Sequence, residues 1–278
     1  MPLVPRLAPI RTTFELRHRK SVYKLNQTQT DALRAAVKRM EDVSEQAAGD
    51  NRGWWAYAGL HGYPQFQCKH SNDYNDWAKL FLPWHRAYLY RIELQMQTFD
   101  PGATLPWWDW PTSRELGGSG IPPLYGDEQA GGAANPLFSA PAPPPIQPST
   151  TFRSPAPPDA PGKSGLPTAE EVDAVLDYSD WHDFSYYLED LLHNRIHGWT
   201  GGFMRQVAVA AYDPIFWAHH TMVDRLWSLW QVRHSAVGPP PSDRGLILEP
   251  FNLSVGEVLD TKKLGYDYAA STMHVEVG

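Results

Sequence analysis

Apolar and polar positions alternate along this chain with a helical period over several stretches. Between Thr28 and Gln46, Leu33, Ala36, Val37 and Met40 fall on one face, with Asp31, Arg34, Lys38 and Arg39 around the other, which predicts an amphipathic helix. Gly, Pro, Asn and Ser then mark a loop from Gly59 to Asn75. A second helix is predicted over Trp84 to Thr98, where Leu89, Ile92, Leu94 and Met96 form an apolar surface interrupted by Arg91 and Glu93; Asp100-Pro101-Gly102 stops it. Residues 117–167 are dense in Pro, Gly, Ser and Ala and carry too few large apolar side chains for a core, so they read as an irregular surface excursion. Thr168-Ala169-Glu170-Glu171 has the form of a helix N-cap with acidic first-turn residues, opening a helix to about Leu176. Further helices are predicted from about Phe184 to His197, and from Asp213 or Pro214 to His234. Proline costs nothing in a first turn, where its missing N–H would be unpaired anyway. No repeat of solenoid length occurs, and the organisation is mainly α.

Composition narrows the function classes. With 278 residues and 42% apolar content, the chain can bury one sizeable core, and we read residues 1–278 as a single domain. A net charge of −7 argues against nucleic acid or an anionic membrane surface as partner. No apolar run approaches the roughly 18 residues of a membrane span. The segment Met1 to Ile10 is too short and proline-broken for a secretory leader, so a cytoplasmic location is the expectation. Cys68 is the single cysteine, which excludes an internal disulfide framework. The informative residues are the eleven histidines.

His193 and His197 are four apart within a predicted helix, which puts both imidazoles on one face, suited to one metal ion. Taken alone, that spacing is a weak signal. Zinc-protease helices share it but place Glu directly after the first histidine; Asn194 stands there instead, so a hydrolase would lack its base. His219 and His220 are adjacent in Asp213-Pro214-Ile215-Phe216-Trp217-Ala218-His219-His220. Neighbours on a helix point about 100° apart, so one of them faces a given metal and the other is more often a buried hydrogen-bonding residue. His85 follows Leu82-Pro83-Trp84 at a predicted helix start, with His61 and His70 in the loop before it. Each of these three, taken separately, is as readily structural as functional.

Four motifs in order make a family resemblance specific: Leu82-Pro83-Trp84-His85-Arg86, Leu105-Pro106-Trp107-Trp108-Asp109-Trp110, His193-Asn194-Arg195-Ile196-His197, and the segment Asp213 to His220. Together they resemble the copper-A and copper-B regions of tyrosinases, catechol oxidases and hemocyanins, over roughly residues 15 to 268. The resemblance implies a four-helix bundle around a binuclear copper site, with long irregular loops. It implies two copper ions, one held by His61, His70 and His85 and the other by His193, His197 and His220, with His219 as a neighbour behind the ligands. The interval from His70 to His85 is longer than the family's, and the polar insertion Ser71 to Asp76 is expected to bulge outward. Cys68, two residues before His70, resembles the fungal cysteine joined to a ligand histidine by a thioether. Val258 to Tyr268 resembles the tyrosine motif that closes the family's core near residue 268, where Tyr266 and Tyr268 would meet Arg17 or Arg19. By the same resemblance this is a short form without the C-terminal covering domain.

The implied activity is oxidation of phenols and o-diphenols to o-quinones by O2, with ortho-hydroxylation of monophenols. A diphenol-only catechol oxidase, an o-aminophenol oxidase and a hemocyanin-like oxygen carrier are the alternatives. Monophenol chemistry needs the phenolic proton, with pKa near 10, to be removed; in relatives a Glu and an Asn placed like Glu189 and Asn194 hold a water for it. Gly198, Val207 and Phe216 are expected to shape the substrate pocket, and the small Gly198 and Val207 to keep it open. His18, His182, His234 and His274 have no metal-like context and read as surface or capping residues.

Overall fold

The computed structural model describes residue 5, residues 15–70 and residues 78–269. Along the chain run β1 (Arg17–Arg19), α1 (Gln27–Gln46), α2 (Trp54–His61), α3 (Ala78–Phe99), α4 (Trp110–Leu116), α5 (Pro123–Gly126), the two-residue strands β2 (Gln129–Ala130) and β3 (Ala133–Ala134), then α6 (Ala169–Leu176) and α7 (Trp181–Tyr187). A π-helical stretch, Leu188–His193, joins α7 to α8 (Asn194–Thr200); α9 (Ile215–Arg233), β4 (Ile247–Leu248), β5 (Leu253–Ser254) and β6 (Tyr266–Tyr268) follow.

Helix α1 starts at a capping box: the Asn26 side chain accepts from the Gln29 N–H while the Gln29 side chain accepts from the Asn26 N–H. Its predicted apolar face, Leu33, Ala36, Val37 and Met40, is buried. Thr168 and Glu171 form the same box on α6. Helix α2 departs from the sequence reading, which ran a loop through it from Gly59. Trp54, Ala56, Tyr57, Ala58 and Leu60 are all buried, so the helix is apolar all round and has no polar face to give it a period. Helix α3 begins several residues before Trp84 and carries Pro83 inside it. Pro83 is the sixth residue of the helix and removes the one ladder bond that its N–H would have donated to the carbonyl four residues back. His85 therefore lies within the helix, not at its start.

Helix α3 is the centre of the bundle: α1 and α9 pack along it, α2 packs on α1, and α7 leans against α3. Its side chains are buried on every side, from Phe81, Trp84 and Tyr88 to Ile92 and Met96. The bundle core of α1, α2, α3 and α9 bears out the mainly α expectation, with α2 a helix that the sequence pattern did not announce. The excursion 117–167 holds the short α5, β2 and β3 and packs onto the bundle through arginines that satisfy its backbone. Arg114 donates to the carbonyls of Pro158 and Leu166. Arg153 donates to those of Tyr125 and Leu137 while pairing with Asp213. The Ser71 to Asp76 insertion and His274 lie outside the described residues.

Strands β1 and β6 pair in parallel, Arg17 opposite Tyr266 and Arg19 opposite Tyr268. Arg19 is the arginine of the closing motif. Fully buried, it bonds Glu93 at 2.8 Å and Asp224 at 3.2 Å, and its guanidinium lies 3.6 Å from the centroid of the Tyr266 ring. Asp224 also accepts from Arg86 Nε at 2.5 Å and from the hydroxyls of Tyr266 and Tyr268. The two cations hold the Asp224 carboxyl below its ordinary range against the cost of burial. Arg86 directly follows His85 on α3, and Asp224 lies one turn after His220 on α9. This network locks the two helices beside the histidines.

Candidate metal centre

Two groups of histidines meet between the helices. One comprises His61, His70 and His85; the other His193, His197, His219 and His220; within each, the candidate ligand atoms all lie within 4.8 Å of one another. His61 is the last residue of α2, His85 lies in α3, and His70 follows in the segment after α2. His61 Nε2 and His70 Nε2 are 3.1 Å apart, and His85 Nε2 is buried without a hydrogen-bond partner. In the second group, His197 Nε2 lies 3.1 Å from His193 Nε2 and 3.4 Å from His220 Nε2. The groups abut: the His85 and His220 rings stack with centroids 4.5 Å apart.

The other ring nitrogen decides what these contacts mean. Nδ1 of His61, His85 and His197 faces the carbonyls of Val207, Phe81 and Met204 at 3.2, 2.8 and 2.7 Å. A carbonyl only accepts, so each Nδ1 carries the proton and each neutral Nε2 presents a bare lone pair. Burial pushes His61, His85, His193, His219 and His220 well below the usual histidine range, and His197 down to about 4, with neighbouring imidazoles adding to the effect for most of them. Converging lone pairs of neutral rings repel one another unless a cation sits between them. The donor set therefore fits metal ions, and all-imidazole donors without carboxylates suit copper.

His70 differs from the rest. Its Nδ1 faces Glu189 Oε1 at 3.1 Å; burial opposes its charge, but Cys68 and Glu189 outweigh this and raise it to about 9. Glu189 is almost fully buried and lies in the π-helical stretch Leu188–His193. The Asn194 N–H bonds the Glu189 carbonyl five residues back, where the sequence reading assumed an α-turn from Glu189 to His193. Single π-turns recur at functional sites. Asn194 Oδ1 lies 3.1 Å from His193 Nδ1, so this side chain orients a histidine of the second group. His219 is fully buried with neither ring nitrogen hydrogen-bonded and its ring stacked on His193.

A cavity of about 540 Å³ opens onto both groups, within the range of small-molecule sites. Cys68, Glu189, Asn194, Gly198 and Val207 line it. Nothing lies within 4 Å of the Cβ position of Gly198, and Val207 is 54% exposed. Phe216, expected at the substrate pocket, is not on the cavity wall. It is fully buried on α9, its ring 4.1 Å from that of His220 and 4.7 Å from that of His61, because helical register turns it under the histidines. The sequence reading missed Met204, Arg205 and the carbonyls that hold the rings. Backbone acceptors leave no mark in residue identity, whereas Arg205 lies two residues before Val207 and was within reach.

Residues 51–233 match the family described as the common central domain of tyrosinase. This chain belongs to the tyrosinase family of type-3 copper proteins. It is 36% identical over 178 residues to a tyrosinase of Streptomyces lincolnensis, the match spanning 55% of this chain and 63% of that relative. Among solved structures, recombinant mushroom tyrosinase superposes with a TM-score of 0.75 at 24% identity, covering 95% of this chain and 63% of that one. A functional unit from octopus hemocyanin superposes with a TM-score of 0.72 at 24% identity, covering 94% and 69%. His234 caps as expected, bonding the Leu176 carbonyl, and no helix among the described residues is long and apolar enough to cross a membrane.

Proposed function

We propose that the protein oxidises phenols and o-diphenols to o-quinones with O2, using two copper ions held by His61, His70 and His85 and by His193, His197 and His220. One observation carries this reading: two abutting groups of imidazoles, each with its candidate ligand atoms within 4.8 Å of one another, lie beneath a cavity open to small molecules. A bound copper pair supplies the two-electron chemistry that links O2 reduction to phenol oxidation. His220 is preferred to His219 because its Nε2 faces that of His197. The carbonyls of Phe81, Met204 and Val207, with Glu189 and Asn194, fix the tautomers and ring directions.

The reading includes ortho-hydroxylation of monophenols. Glu189 is the single carboxylate lining the cavity among the described residues, placed to take the phenolic proton directly or through a water held with Asn194. The absence of a side chain at Gly198 and the modest Val207 leave room for a ring. Cys68 lines the cavity beside His70, two residues before it, which supports a thioether between them; intact mass would show the loss of two hydrogens. The deciding experiment measures copper per chain together with oxygen uptake on 4-methylcatechol and 4-methylphenol. Two coppers and turnover of both are expected. One copper per chain would sink the reading, and turnover of the catechol alone would remove its monophenol half.

A further inference from the structure

The segment Met204 to Val207 serves both histidine groups at once. The Met204 carbonyl accepts from His197 of one group and the Val207 carbonyl from His61 of the other. The segment is pinned from behind as well: the Phe203 N–H donates to the Phe152 carbonyl at 3.1 Å, and the 3-10 turn Gly202–Arg205 ends at Arg205. The backbone carrying Arg205 is thus fixed relative to the metal groups, and Arg205 lines the cavity. Arg205 is exposed, and among the described residues it has no ion-pair or hydrogen-bond partner. The other charged residue in the described wall, Glu189, is buried and engaged with His70.

A phenol must turn its hydroxyl toward the imidazole nitrogens on the cavity floor, which leaves its para substituent at the rim. We propose that Arg205 is a specificity residue that receives an anionic para substituent, so that phenols and catechols bearing a carboxylate side chain are preferred over neutral and cationic ones. This rests on the oxidase reading above. Guanidinium and carboxylate match in bidentate geometry, but the rim is solvated. The preference is therefore roughly two- to fivefold in KM, and it weakens as salt shortens the screening length below about 10 Å.

Three catechols differing only in the para chain test this: 3,4-dihydroxyphenylpropionate, 4-methylcatechol and dopamine, assayed on the copper-loaded protein. Arg205→Gln is expected to raise KM for the anion alone, leaving 4-methylcatechol and every kcat unchanged, and Arg205→Glu to favour dopamine. Calorimetric titration with 3-phenylpropionate, which has no phenol to oxidise, gives a second readout. Wild type should bind it more tightly than Arg205→Gln at low salt. Equal KM shifts for all three catechols, or anion binding indifferent to Arg205→Gln because the carboxylate goes to the metals, would overturn the proposal. Failure of 4-methylcatechol to turn over at full copper would instead sink the oxidase reading, while the titration still reports on Arg205.

Discussion

The two histidine groups reach similar geometry by different construction. His193, His197, His219 and His220 ride on helices, and most of their arrangement is local: residues four apart share a face, and α9 needs only to dock beside α8. His61, His70 and His85 come from the end of one helix, an irregular segment and the interior of another, and are assembled by packing. The loop-borne His70 keeps 15% side-chain exposure and leans on a carboxylate from the opposite half of the chain. A metal site borne by helices takes its stiffness from hydrogen-bonded backbone, whereas one gathered from separate segments must borrow it from surrounding contacts.

The largest expected effect separates the two neighbours on α9. His220→Ala should lower copper from two per chain to one and abolish oxidation, with His219→Ala retaining two; metal analysis showing the reverse would reassign the ligand. Next comes the network shared by both groups. Asp224→Ala leaves Arg19 and Arg86 buried beside an empty position and should cost about 3–5 kcal/mol in urea unfolding; a loss below about 1 kcal/mol would mean that the pairs contribute little to joining α3 and α9. Glu189→Ala should then weaken copper at the loop-built group about 10–100-fold with the helical group unaffected, and Glu189→Gln, which keeps an acceptor oxygen, should recover most of it. Equal weakening at both groups would erase the contrast.

The smallest effect concerns protons in the metal-free protein. His61, His85, His193, His197, His219 and His220 all titrate below their unfolded value of about 6.5. The folded state thus binds fewer protons than the unfolded one, so their contribution to stability is full above that pH and declines as pH falls toward 4 and below. His70, raised to about 9, runs the other way: its contribution is full below 6.5 and fades as pH rises through 9. Metal-free protein should accordingly lose stability on acidification from pH 6.5 to 4, and substituting His70 should flatten the alkaline side alone. Denaturant midpoints from about pH 4 to about pH 10 check both statements; a flat acid limb would contradict the buried neutral state of the imidazoles.

Much of the bundle was legible. The stripes of α1 and the cap of α6 appear in the residue pattern because each element has one buried and one solvated face or a side-chain cap. Helix α2 escaped because burial on every side erases periodicity, and the start of α3 was misplaced because Pro83 reads as a boundary when it sits inside the first turns. At the site, the ligand histidines were named from motifs, but Phe216 was assigned to a wall it does not line, and Glu189 lies in a π-turn that no local pattern announces.

By itself the sequence determined the element types, the histidine pair four apart on one helix and the family's ordered motifs, since these follow from short-range spacing. Only the tertiary structure decided that His61, His70 and His85 meet, that Arg19 and not Arg17 closes the core, and that carbonyls of Phe81, Met204 and Val207 set the ring tautomers. Those outcomes depend on which distant backbone groups are brought within 3 Å or so of a side chain, and a backbone carbonyl is the same in every residue.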